Sequence, residues 1–414
     1  MLRVNKSSLK KKISNFFLIT TFIVFLIPYS ISGLSANYSY ILYPLLIILI
    51  NWKIKPLNKN FILIISYFFL ILFLSIMYQF ELMPFLDRRL ISFLIFMTIF
   101  SYMIIDIDED KIKAFKIAIV LIILFFCFWK LERYISYNYV ELKSNLKFYL
   151  GSSRYGFVYI LAFWISWFYQ PHSKLFNILK FSNILLILIG IVLTYSRTTL
   201  LAFFVSFFFY YLSNFSLKKK RFFKRFLFII FIPIIILTVI NFLHIIAPWT
   251  AKYFSNTIFI YFSIDGLTTF YQDLFRSGSS HGFRFTILEK IVNYAFNNPF
   301  TGSGFLGCWI MFDNLKCSAH NQYGDVLFRT GFIGLYFYLF ILYKVFEYLR
   351  NNHKDLFYGF IGVLVYGFFH ETFKLSQGAF ILTFLLGAMA SAKRKVGSKF
   401  YKNSEKFFKK IEQS

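Results

Sequence analysis

Long apolar runs separated by short basic segments dominate this chain and constrain it most. The runs fall at residues 14–33, 37–52, 60–79, 90–106, 114–129, 155–170, 181–196, 198–213, 226–246, 326–348, 356–370 and 376–392. A bilayer core takes about 20 apolar residues per helix, and a helix satisfies every backbone polar group internally. The pattern therefore predicts an all-α polytopic membrane protein with about 12 transmembrane helices. Residues 1–414 read as a single membrane domain, with a large external loop at 247–325 that contains short helices. Only 15% of residues are charged, against about 25% in soluble domains. The net charge of +27 does not indicate a nucleic-acid partner, because the basic residues lie between apolar runs and not on a polar domain. Met1–Lys12 is basic and precedes an apolar run, as in a signal peptide. No small-residue cleavage site follows, so that run reads as a retained first helix.

Charge placement predicts the orientation. With both termini in the cytoplasm, 30 of the 45 Lys and Arg residues lie inside, including Lys218–Arg221 and the tail from Lys393. Arginine runs against this trend: Arg88, Arg89, Arg133, Arg154, Arg197, Arg276, Arg284 and Arg329, eight of the 13, lie on the outer side. A guanidinium binds phosphate as a planar fork, which an ammonium cannot do. The bias suggests an external phosphate or pyrophosphate site, although interfacial snorkelling accounts for any one arginine taken alone.

The outer loop carries the densest chemistry. After Gly278-Ser279-Ser280-His281-Gly282, apolar residues recur at helical spacing from Phe283 to Asn297, and Pro299 ends the run. Arg284 falls in the first turn, where a cation opposes the helix dipole. It is either a tolerated surface arginine or one that shares an anion with the helix start. Gly302-Ser303-Gly304 is a turn, too short for a dinucleotide fingerprint. Cys308 and Cys317 admit either a disulfide or two free thiols. Cys127 reads as a packed apolar side chain, and Asp106, Asp108, Glu109 and Asp110 read as a solvated cytoplasmic turn. His320 precedes Asn321 just before a membrane entry. An imidazole there is either a general base or a solvated structural histidine. No metal-ligand spacing is present.

Three blocks resemble the bacterial O-antigen polymerase and O-antigen ligase superfamily of membrane glycosyltransferases. They are Thr194-Tyr195-Ser196-Arg197-Thr198-Thr199-Leu200-Leu201; Arg284 through Pro299 to Gly304; and His320-Asn321, nine residues, then Gly331-Phe332-Ile333-Gly334. Together they cover roughly residues 190–335; the first half of the chain is similar only in hydropathy.

The resemblance implies an inner-membrane enzyme acting on glycans linked to undecaprenyl pyrophosphate, with no metal and no other cofactor. Arg197 and Arg284 match the arginines that hold the pyrophosphate, and His320 matches the base that deprotonates the acceptor hydroxyl. Arg88, Arg89, Arg154 and Arg276 are secondary candidates from the charge argument, and Asn321 from its place in the third block. The expected partners are the lipid-linked glycan and the bilayer, with a chain-length regulator protein as a further candidate. The Gly-x-Gly turn tilts the reading toward a polymerase, which extends one lipid-linked repeat unit with another. The alternative is a ligase, which transfers the glycan to lipid A–core. A flippase of lipid-linked oligosaccharides is the reading outside enzymology, although no internal repeat is apparent.

Overall fold

The computed structural model describes residues 107–136, 155–171, 173–192, 196–213, 280–304, 319–372 and 377–392, with single positions such as Phe22, Tyr67 and Leu306. Every extended element among them is helical. In chain order these are α1 (Glu109–Ser136), α2 (Gly156–Phe168), α3 (Lys174–Val192), α4 (Arg197–Ser213), α5 (Ser280–Asn297), α6 (Gln322–Asn352), α7 (Lys354–Gly367) and α8 (Gln377–Ala392).

The expectation of about 12 transmembrane helices is corrected here. Among the described residues, three helices are long and apolar enough to cross a bilayer: Glu109–Trp129, Lys174–Val192 and Gln322–Asn352. They support a membrane location. The runs at 155–170 and 356–370 form helices of only 13 and 14 residues. At about 1.5 Å per residue these reach roughly 20 Å, short of a hydrocarbon core of about 30 Å. Hydropathy cannot separate an apolar helix buried in protein from one immersed in lipid, and α2 is buried along most of its length. The spans expected at 14–33, 37–52, 60–79, 90–106 and 226–246 lie outside the described residues, a few single positions aside.

The chain divides into two compact units. The first comprises Met1–Phe125, Tyr294–Phe357 and His370–Ser414; the second comprises Phe126–Asn293 and Tyr358–Phe369. In the second unit, helices approach closely at small residues. A Cβ on Gly156 would overlap the Thr199 side chain, and one on Gly190 would overlap Cys127 and Tyr159. Close backbone approach is the usual means of packing helices where lipid supplies no hydrophobic drive. Trp164 is fully buried; its Nε1–H donates to Ser206 Oγ at 3.0 Å and its ring meets Phe163, Phe168, Phe207, Tyr210 and Tyr358. From Ile184 on, helix α3 is apolar all round, yet only Ile184, Ile187, Gly190 and Ile191 are buried. A helix apolar on every side has lipid for its solvent.

In the first unit, Phe115 stacks on Phe384 at 4.0 Å, and Phe22 and Phe380 complete that cluster. Asp108 caps α1: its Oδ1 accepts the Lys111 N–H at 2.9 Å, and Glu109 and Asp110 occupy the first turn, where the dipole favours them. Those acidic residues, expected to form a solvated turn, thus start a helix. Lys116 pairs with Asp355 at 2.7 Å, and Ser391 Oγ accepts the Ile107 N–H at 3.1 Å.

Helix α6 is two helices. Gly331, at φ 66° and ψ −170°, leaves helical geometry and separates a short arm, 322–330, from a long arm, 332–352. The turn is sharp enough to bring the rings of Tyr323 and Tyr338 to 6.4 Å, 15 positions apart in the chain. In a straight helix that separation would be about 22 Å. The long arm alone has the length of a membrane crossing, about 31 Å.

Candidate functional site

The elbow at Gly331 is locked against the turn after α5. Phe332 N–H donates to Pro299 O at 2.8 Å, and Ser303 N–H donates to Phe328 O at 2.7 Å. Gly302 and Gly331 both have positive φ, where a side chain is strained. A Cβ on Gly302 would strike the Phe328 carbonyl oxygen, and one on Gly331 would strike that of Pro299. Tyr67 closes the same join, its hydroxyl donating to Phe300 O at 2.8 Å. Above it, Tyr294 of α5 lies against Phe328 at 4.8 Å. The turn from Pro299 to Ser303 and the glycine ten residues after Asn321 are therefore two halves of one backbone joint.

His320 stands at the start of the short arm. Its φ of 50° makes it the one non-glycine residue with positive φ among the described residues. Such a backbone persists where the surroundings over-determine it. On one side, Glu371 Oε1 accepts the Ala319 N–H at 2.9 Å. On the other, Asn321 Oδ1 accepts the N–H groups of Tyr323 at 2.9 Å and Gly324 at 3.1 Å. Asn321 is thus a helix cap, a structural task its side chain already fulfils. His320 itself is half-buried.

One turn further on, Arg329 Nε donates to both carboxylate oxygens of Asp325, at 3.0 and 2.9 Å. The side chains are 1% and 0% exposed, so the pair is withdrawn from water. Arg329, counted from the sequence among the external arginines, has its charge met within its own helix. The Asp-to-Arg spacing of four on a helix was the signal that could have found the pair. Glu371, 51 residues from His320, left no such signal.

Arg284 lies on α5, half-buried, and loss of solvent lowers its pKa below the ordinary guanidinium range. Among the described residues no carboxylate pairs with it. A partly desolvated cation of this kind gains from an anion. Arg197 opens α4 directly after the cap residue Ser196, whose Oγ accepts the Thr199 N–H at 3.2 Å; the Arg197 side chain lies outside the described residues. The turn expected at Ser196 is present: α3 ends at Val192, and Thr194 Oγ1 donates to Ile191 O at 2.7 Å. His320 and Asn321 belong to the first unit, Arg197 and Arg284 to the second. Arg88, Arg89, Arg154, Arg276, Cys308 and Cys317 lie outside the described residues. Among those described, no three His, Cys, Asp or Glu side chains are grouped as metal ligands would be.

Residues 182–339 match the family model described as O-Antigen ligase. The matched stretch holds the Ser196-Arg197 turn, α5, the Gly302 turn, His320 and the Gly331 elbow. The match supports membership of the polysaccharide-processing superfamily of O-antigen ligases and polymerases, and it is consistent with a glycan-processing enzyme. No curated protein matches the chain.

Proposed function

We propose that this chain is a membrane glycosyltransferase that moves a glycan from a polyprenyl pyrophosphate, undecaprenyl pyrophosphate in bacteria, to an acceptor hydroxyl. The observation that carries the reading is the match over 182–339 to the O-antigen ligase family. In this reading His320 takes the proton of the acceptor hydroxyl and that oxygen attacks the anomeric carbon. The carbon–oxygen bond to pyrophosphate breaks, and Arg197 and Arg284 stabilise the charge left on the departing group. The half-buried Arg284, with no carboxylate partner among the described residues, suits that role.

The ligase form, with lipid A–core as acceptor, agrees better with the description of the matched family than the polymerase form does. The Gly-x-Gly turn is a weak argument for a polymerase, because packing against Phe328 and Gly331 is reason enough for a glycine at 302. The proposed setting is the bacterial inner membrane, with both termini cytoplasmic and 247–325 outside, as the basic residues suggest.

The test is transfer by the reconstituted protein from a lipid-pyrophosphate glycan, offered either lipid A–core or a second lipid-linked unit, with and without chelator. His320→Ala should abolish transfer while donor binding persists, and His281→Ala should leave it intact. Arg197→Lys and Arg284→Lys should each lower it strongly, since charge remains but the fork is lost. Full transfer by His320→Ala would remove the histidine from the mechanism. Product on the second lipid-linked unit alone would make the chain a polymerase, and loss of transfer with chelator would require a metal.

A further inference from the structure

Helix α5 has three faces. At about 100° per residue, Ile287, Ile291 and Ala295 share one arc and are fully buried. Glu289, Lys290, Asn293 and Asn297 share a second arc, exposed and polar. Between them lies a third arc with Phe285, Leu288, Val292 and Phe296, and it is apolar without being covered: Phe296 is 67% exposed and Phe285 45%. A helix lying between protein and water has two faces, one apolar and one polar. The third face calls for a third environment.

The long arm of α6 shows what that environment is. Phe332, Tyr336, Leu339 and Tyr343 recur at helical spacing and are all exposed. The same stripe turns charged at Glu347 and Arg350. On a helix of membrane-crossing length, an exposed apolar stripe ending in charges faces lipid and stops at a boundary. At its other end the stripe does not stop. The Phe332 ring meets the Phe296 ring of α5 at 5.4 Å, and Phe300 beside them is 67% exposed. The lipid-facing stripe of the long arm thus meets α5 at Phe296, the last residue of its apolar arc.

We infer that α5 is an interfacial helix, seated at the boundary between headgroups and acyl chains, with Phe285, Leu288 and Phe296 inserted into the phospholipid. Its buried arc faces protein, and its polar arc, which includes Lys290, faces water. This inference stands apart from the chemistry proposed above, and each can fail alone.

The full chain, with Cys308 and Cys317 replaced by serine, is reconstituted in phosphatidylcholine–phosphatidylglycerol vesicles. Nitroxides are placed singly on Phe285→Cys, Leu288→Cys and Phe296→Cys, on Glu289→Cys and Asn293→Cys, and on Leu339→Cys as the lipid reference. Collisions with oxygen and with a water-soluble nickel chelate are then compared. The first three labels should resemble the reference, with oxygen favoured over nickel several-fold, and the Glu289 and Asn293 labels should show the reverse. Nickel access at all five α5 positions would put the arc in water and overturn the inference. Access by neither reagent at the apolar arc would show a protein cover, such as a second copy, and would also overturn it. In the unmodified chain, a photoactivatable phospholipid should label peptides from 280–300 as well as from 332–343; labelling of the latter alone counts against it.

Discussion

Glu371 holds the backbone of Ala319: its Oε1 accepts the Ala319 N–H at 2.9 Å across 52 residues of chain. The next residue, His320, has the left-handed backbone, so the carboxylate fixes the approach to the histidine.

Replacing Glu371 tests it as a positioning residue. A hydrogen bond to a charged group contributes about 1.5–3 kcal/mol, roughly a 10- to 100-fold change in the population of the correct geometry. Glu371→Ala should lower glycan transfer by that factor while leaving donor affinity unchanged. Glu371→Gln keeps a carbonyl acceptor and should recover most of the rate. Equal loss in both variants, or weakened donor binding, would show a different role.

The Gly302–Gly331 joint predicts a stability effect. Alanine at either position incurs about 1–2 kcal/mol for the left-handed backbone, and overlap with the Phe328 or Pro299 carbonyl adds to it. Gly331→Ala and Gly302→Ala should each lower the thermal midpoint of the detergent-purified protein by several degrees. Because both act on one contact, the double variant should fall short of the sum.

Sequence reading found this region but not its shape. The three blocks were visible as residue types at fixed spacing, whereas Asn321 stood out only as a neighbour of His320 and its capping of α6 did not. The elbow was not: the apolar run at 326–348 reads as one helix, because a lone glycine costs a helix only about 1 kcal/mol. What breaks the helix is the partner carbonyl of Pro299, and that contact is tertiary. Glu371 was missed for the same reason. The overcount of spans has a different origin, since α2 and α7 are apolar enough to be counted although too short to cross. The two largely apolar faces of α5 also read alike in sequence, Arg284 aside; only burial tells Ile291 from Phe296.

The Asp325–Arg329 pair should respond unevenly to substitution. Asp325→Asn leaves a buried guanidinium without its counter-charge and should cost about 3–5 kcal/mol, whereas Asp325→Leu combined with Arg329→Met should lie much closer to the native protein. Thermal unfolding of both variants decides it. Similar destabilisation by the single and the double change would mean that the carboxylate does not chiefly neutralise Arg329.

His353 gives a pH dependence at the far end of α6. It is buried, its Nε2 lies 3.2 Å from the Tyr348 hydroxyl, and burial, followed by the Lys116 charge, holds its pKa below the ordinary 6.5. Glu109 and Asp355 pull the other way and are outweighed; Glu109 is 4.0 Å off and 71% exposed. The folded state therefore binds this proton less readily than the unfolded chain does. The resulting stability is complete above pH 6.5 and is lost as pH falls through the depressed folded value. The thermal midpoint should drop between about pH 7 and pH 5, and His353→Gln should flatten that drop. An unchanged slope in His353→Gln would assign the effect to other groups.

The joint between the α5 turn and the elbow is made of main-chain atoms: Ser303 N to Phe328 O, and Phe332 N to Pro299 O. Its code is therefore a count of residues more than a choice of side chains. Ser303, Phe328 and Phe332 can be exchanged without touching either hydrogen bond, provided glycine stays at 302 and 331. Adding or removing one residue between Pro299 and Ser303 would put the two bonds out of register, so that both could not close together. Chains that share this joint can drift far apart in composition here and still keep their spacing.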